Sequence, residues 1–253
     1  MTRPSMDETR FPLSNGPMPA AGGIPAIGTS RRDPTPHKGS VMTQPGFSGT
    51  FTKEFETLLR WRRDVRHFRR DPVPAPVLDG LLATACLAPS VGLSEPWRFV
   101  RVDDPARRQA VRDDFARCNA HALAARDGSD ASDYARLKLA GLDDAPHHVA
   151  VFSDNDPTQG RGLGRGTMPQ TTTWSTVMAI HTFWLAATAA GVGVGWVSII
   201  DPARVTAMLD VAAQWELVAY LCVGYPQDPS DMPELQRRGW EHRDPERQQW
   251  IDR

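Results

Sequence analysis

The feature that most constrains this chain is the stretch VMAIHTFWLAATAAGVGVGWVSII, residues 177–200, which contains no Asp, Glu, Lys or Arg. It is long enough to cross a bilayer. Gly191, Gly193 and Gly195 interrupt it, however, and no basic flank sets a topology, so it parses as a buried helix, a turn and a buried strand. A helix that is apolar on every side needs cover on every side. In a chain of 253 residues that cover is most easily found in a dimer interface, which obligate homodimers build like a divided core.

The segments around it alternate between helical and strand patterns. FTKEFETLLRWRRD carries Phe51, Phe55, Leu58 and Leu59 at helical spacing, and PAPVLDGLLATACLA carries Val77, Leu81, Leu82 and Cys86. Pro72, Pro74 and Pro76 separate the two. PARRQAVRDDFARCNAHALAAR and DYARLKLAGL read as helices, while PWRFVRV, PHHVAVFSD, VGVGWVSI and ELVAYLCVGYP read as strands. The order predicts an α+β architecture, a mixed sheet covered by helices.

Residues 1–50 are crowded with Pro, Gly, Ser and Thr and have neither a period nor an apolar run of signal-peptide length, so they are expected to form a disordered extension ahead of one domain at 51–253. A partner-binding arm is the functional alternative, and Met42 is a second candidate for the first residue. Cys86, Cys118 and Cys222 form no CxxC pair and have no His pattern beside them, which leaves no disulfide framework or structural zinc site and fits a reducing cytoplasm. A formal net charge of -1 gives no general attraction to nucleic acid or to an anionic membrane.

Against that balance, RRDVRHFRR at 62–70 is a local concentration of cations: Arg62, Arg63, Arg66, Arg69 and Arg70 around Asp64. Arginine's planar fork gives paired, charge-assisted hydrogen bonds to phosphate. Two readings stay open on spacing alone, a small-anion site or a solvated helix end paired with Asp64 and Asp71. Neither GxGxxG after a first strand nor a Walker A loop is present.

RRDVRHF, LAPSVGLSEPWRFV, WSTVMAIHTFWLAATAAGVGVGWVSI and GWEHR stand in the order and spacing of the flavin-dependent nitroreductase superfamily. From about residue 52 onward the chain resembles, within it, the aerobic 5,6-dimethylbenzimidazole synthases. The resemblance implies an intertwined homodimer with a long buried central helix and FMN at the subunit interface. It implies that Arg62, Arg63 and Arg66 bind the FMN phosphate and nearby polar groups, that Arg243 closes over the phosphate, and that Lys138 adds a polar contact. Pro89, Ser90 and Leu93 match a loop reaching the isoalloxazine from the other subunit, and Ser198 and Ile199 match a strand end beside the ring. Asp64 and Ser175 match the residues the synthases need for catalysis, Asp64 moving protons and Ser175 orienting the flavin or a water. By default, Asp64 would be an ordinary ion-pair partner of Arg63 or Arg66, and Ser175 a helix N-cap.

The reaction implied is O2-dependent fragmentation of reduced FMN to 5,6-dimethylbenzimidazole, the lower ligand of cobalamin, and erythrose 4-phosphate, with a separate flavin reductase as one source of reduced FMN. The chain departs from the pattern at Glu95, Ala140, Thr172 and Trp174. Alternatives are an NAD(P)H-dependent FMN nitroreductase or flavin reductase, which returns its flavin intact, a noncatalytic flavin-binding regulator, and a cobalt-reducing corrinoid enzyme. The glycines of GVGVG would allow close backbone approach to a flavin or merely stop a helix, and Trp97 and Trp196 are expected in the core or beside the ring.

Overall fold

A computed structural model describes residues 46–126, 141–247 and 249–253. Lys138, Ala140, most of the expected DYARLKLAGL helix and nearly all of the N-terminal extension lie outside them. Helices α1 (Gly49–Trp61) and α2 (Ala75–Ala85) come first, then a single 3-10 turn at Val91–Leu93 and strand β1 (Trp97–Arg101). Helix α3 (Pro105–Ala124) and the short α4 (Gly141–Asp144) precede β2 (His147–Asp154). Helix α5 (Thr171–Ala189), β3 (Gly193–Val197), α6 (Pro202–Leu209), β4 (Trp215–Gly224) and α7 (Glu234–Arg237) follow.

The sheet runs β1-β2-β4-β3, with every neighbouring pair antiparallel. Its parallel component is a single bridge, Asp64 to Val194, by which the arginine segment lies along the free edge of β3. Period-two alternation sends Val149 and Val151 of β2 to one face and Ala150 and Phe152 to the other. The first face packs on α2 and α5 through Leu81, Ile180 and Phe183, and the second, which also carries Tyr220 of β4, on α3 and α6 through Val111 and Val205. Because β2 is covered on both faces, it reads as a nearly continuous apolar run; each such aliphatic side chain contributes about 1.5–3 kcal/mol on burial.

Helix α5 is the charge-free segment. Its hydroxyls are satisfied one turn back, Ser175 donating to the Thr171 carbonyl at 2.6 Å, Thr182 to Met178 at 2.9 Å and Thr188 to Trp184 at 2.9 Å. It ends where Gly191 turns left-handed at φ 72, with Gly191 N–H on the Thr188 carbonyl and Val192 N–H on Ala187. One face is buried, whereas Trp174, Val177, Met178 and His181 are exposed on the other. Among the described residues, no helix is long and apolar enough to cross a membrane.

The remaining glycines of GVGVG have a different use from the expected approach to a flavin. A β-carbon on Gly195 would stand 2.2 Å from the Val65 carbonyl oxygen, and one on Gly193 would stand 2.8 Å from Val65 Cγ2. They let the arginine segment lie flat on β3, where Val65 N–H bonds the Val194 carbonyl at 3.0 Å.

Candidate active site

The arginine segment leaves α1 and crosses the C-terminal half of α5. Trp184 of α5 holds it in two ways, donating Nε1–H to the Arg63 carbonyl at 3.2 Å and stacking under the Arg62 guanidinium, 5.0 Å from the ring centroid. Arg63 Nε donates to the Asp231 carbonyl at 2.7 Å, Nη2 reaches the same oxygen, and Nη1 donates to the Arg62 carbonyl at 2.8 Å. Much of Arg63 therefore clamps the C-terminal segment in place.

A cleft of about 320 Å³ is lined by Arg62, Arg63, Asp64, Arg66, Glu234 and Arg243. Burial, and then the charge of Arg243, lowers the guanidinium pKa of both Arg62 and Arg63. Cations crowded in this way, and not ion-paired among the described residues, favour an arriving anion. Of the cluster, Arg69 and Arg70 instead pair with Asp71 and Asp144 at 2.9 Å, as the solvated-face reading expects.

Asp64 is the hinge of the site. Its Oδ1 accepts the Trp196 N–H at 2.8 Å and its Oδ2 faces Arg66 Nε at 3.5 Å. Arg66, with 12% of its side chain exposed, is thus the counter-ion of Asp64 as well as part of the cleft wall. Burial raises the Asp64 pKa, and Glu234 adds to the rise, while the Trp196 amide and Arg66 oppose it. The carboxyl nonetheless keeps 39% of its side-chain surface and opens also into a larger cleft of about 640 Å³ that runs past Arg66 to Trp61 and Tyr225. A carboxyl held on one oxygen, raised in pKa and open on the other side can take and return a proton.

Ser175 lies elsewhere. Helix α5 begins at Thr171, so Ser175 is inside it and not its N-cap. Its hydroxyl is buried and accepts the Val91 N–H at 3.0 Å, fixing the loop that carries Pro89, Ser90 and Leu93. Ser90 Oγ in turn accepts the Glu95 N–H at 3.1 Å, and Leu93 points outward. Nine residues of helix, about 13 Å of rise, separate Ser175 from Trp184. Within one chain the loop and the arginine cleft are therefore not brought together.

Ser198 and Ile199 follow β3, just beyond the Trp196 amide that holds Asp64. Asp114 anchors the chain past them: its buried carboxylate accepts the Asp201 N–H at 2.8 Å and pairs with Arg117 at 2.7 Å and Arg204 at 2.9 Å. Burial alone would raise the Asp114 pKa, but these partners outweigh it and hold the carboxyl below its usual range. Trp97 is in the core and Trp196 packs partly buried against it, while Thr172 is buried beside Asn155 and Trp174 is exposed.

Comparison with known proteins decides the family. Residues 59–225 match the model of the Nitroreductase family. The chain belongs to the nitroreductase family. Among its relatives in that family, a 5,6-dimethylbenzimidazole synthase of Rhodospirillum rubrum is 57% identical over 205 residues, spanning 81% of this chain and 97% of the relative. One of Rhodobacter capsulatus is 49% identical over 195 residues, 77% of this chain and 94% of the relative. The nitroreductase-like fold is shared with oxidized iodotyrosine deiodinase bound to FMN and 3-iodo-L-tyrosine, at 26% identity and a TM-score of 0.60, covering 70% of this chain and 91% of that one.

Proposed function

We propose that the chain is a 5,6-dimethylbenzimidazole synthase that consumes reduced FMN and O2 and releases 5,6-dimethylbenzimidazole, erythrose 4-phosphate and the oxidised pyrimidine fragment of the ring, which carries the remaining four carbons, two nitrogens and the oxygen taken up. The observation that carries this reading is the 57% and 49% identity to relatives named 5,6-dimethylbenzimidazole synthase, matched over 97% and 94% of their lengths. The geometry of Asp64 agrees with it: a carboxyl set among arginines, its Oδ1 held by the Trp196 amide and its Oδ2 facing Arg66.

The residues present fit FMN. Arg62 and Arg243 offer guanidinium donors to a phosphate, and Arg63 holds the cleft wall. Ser198 and Ile199 stand where a ring could lie along the strand end, and Pro89, Ser90 and Leu93 form an outward loop. Reduced FMN supplies the electrons for O2 and the carbon atoms of the product. Asp64 accepts and returns the proton moved as the ribityl chain is cut, with Arg66 restoring the charge balance. Ser175 acts through the Val91 amide, by setting the Pro89–Leu93 loop. A separate flavin reductase is the partner such a reaction calls for.

A homodimer completes the site. Trp174, Val177 and Met178 on α5 and Phe51 and Phe55 on α1 form apolar faces in need of cover, and the loop set by Ser175 is too far from its own arginine cleft to serve it. The test is a single turnover of reduced FMN in air, with products identified by mass spectrometry. 5,6-Dimethylbenzimidazole appearing as FMN disappears is the expected outcome; recovery of intact oxidised FMN would transfer the chain to the reductases.

A further inference from the structure

The arginine segment runs between the two clefts. Arg62 and Arg243 line only the smaller, of about 320 Å³, and Trp61, His67 and Tyr225 only the larger, of about 640 Å³, while Arg63, Asp64, Arg66 and Glu234 stand in the walls of both. Three of these four already have tasks: Arg63 clamps the Asp231 carbonyl, and Arg66 is the counter-ion of Asp64. Glu234 has none.

Glu234 opens the short α7 directly after Pro233, and only 12% of its side chain is exposed. A carboxyl so sheltered needs partners. Both of its contacts fall on Oε1, which lies 3.2 Å from Arg238 Nη2 and 3.9 Å from His67 Nε2; Oε2 has no partner among the described residues. Glu234 is also near enough to Asp64 for its charge to oppose ionisation there. The other charges in the larger cleft are spoken for: Arg237 pairs with Asp228 at 3.1 Å, and Arg69 turns to Asp71. His67 reaches the outside, with 36% of its side chain exposed, and imidazole both takes and gives a proton near neutral pH. Asp64, Glu234 and His67 thus lead from the sheltered carboxyl out to the larger cleft. Flavin phosphate held by Arg62 and Arg243 fills the smaller cleft, and the larger one stays open to Asp64 from the other side.

We propose that Glu234 and His67 carry the proton of Asp64 to and from solvent through the larger cleft. A proton leaving Asp64 passes through a water in the cleft to Glu234, from Glu234 to His67, and from His67 to solvent; the reverse steps reload Asp64, and no electrons move. Neither residue touches the flavin, and both act through Asp64. The inference rests on the flavin reading above and supplies a path for the return of the proton assigned there to Asp64.

The test is repeated turnover of photoreduced FMN in air by the full chain and by Glu234→Gln, His67→Gln and Asp228→Asn, each with and without imidazole as a free proton carrier. Glu234→Gln should form 5,6-dimethylbenzimidazole at least about tenfold more slowly than the parent chain, and His67→Gln severalfold more slowly, neither with weakened FMN binding. Imidazole should restore most of the lost rate in both, which repair of a merely structural defect would not explain. Asp228→Asn removes a carboxylate from the same cleft away from the path and should behave as the parent chain does. Parental rates in Glu234→Gln and His67→Gln, or a slowing that imidazole does not relieve, would overturn the inference and leave the flavin reading standing. Should Glu234→Gln not fold, His67→Gln decides by the same criteria. Failure of the parent chain to convert reduced FMN would remove the flavin reading, and this inference with it.

Discussion

At the residue scale, Asp64 carries opposite demands. Its pKa is raised because the fold gives its charge too little solvent, with the Trp196 amide and Arg66 returning only part of the loss. Between the ordinary carboxylate value and the raised folded value, the native state binds more protons than the unfolded chain, so stability falls as pH rises through that window. Asp64→Asn keeps an oxygen for the Trp196 amide and removes the charge. Without flavin it should melt higher than the parent chain at pH 8, with the difference shrinking as pH falls toward 4, the usual carboxylate range; a parent chain more stable than the variant at pH 8 would contradict this. Single residues also show where sequence was informative. Arg62, Arg243 and Asp64, all singled out in the sequence, meet at one cleft. That Arg66 pairs with Asp64 is the default ion-pair reading of a local pattern, whereas Arg63 spends donors on the Asp231 carbonyl, a contact 168 residues away that no local pattern encodes.

At the scale of elements, α1, α2, α3, α5 and the four strands were legible because each carries its own period and punctuation. The Asp104–Pro105 start of α3 shows the signal: the Asp104 carboxylate accepts the Ala106 N–H at 2.7 Å, and proline takes the first helical position. The same Asp-Pro pair at 201–202 opens α6 and could have located it, but the apolar period of α6 is only two turns long. The N-cap of α5 was read five residues late, at Ser175 instead of Gln170, because no side chain caps the helix. The glycines of GVGVG were legible as close-approach positions, but their neighbour was not. Gly195→Ala would drive a methyl group into the Val65 carbonyl, lifting the arginine segment from β3. We expect it to destabilise the protein by about 1–3 kcal/mol and to weaken FMN binding along with stability; unchanged thermal unfolding would contradict the account of this edge.

At the scale of the whole molecule, the site is divided: the arginine cleft lies at one end of α5 and the Ser175-held loop at the other. If a twofold dimer joins them across subunits, two inactive variants should complement each other. A chain with Arg62→Ala and Arg243→Ala, mixed and re-equilibrated with a Leu93→Asp chain, would form mixed dimers with one intact site each and recover about a quarter of the parent activity. No recovery would place the whole site within a single chain. The charge-free segment carried the expectation of a dimer, and α5 leaves Trp174, Val177 and Met178 exposed on one face.

The most direct measurement is the single turnover of reduced FMN in air, run side by side on the parent chain and Asp64→Asn, with flavin and benzimidazole counted per chain. The expected result is equimolar loss of FMN and gain of 5,6-dimethylbenzimidazole in the parent chain, with Asp64→Asn binding flavin but forming product at least about 100-fold more slowly. Intact FMN from the parent chain, or full product from Asp64→Asn, would contradict it.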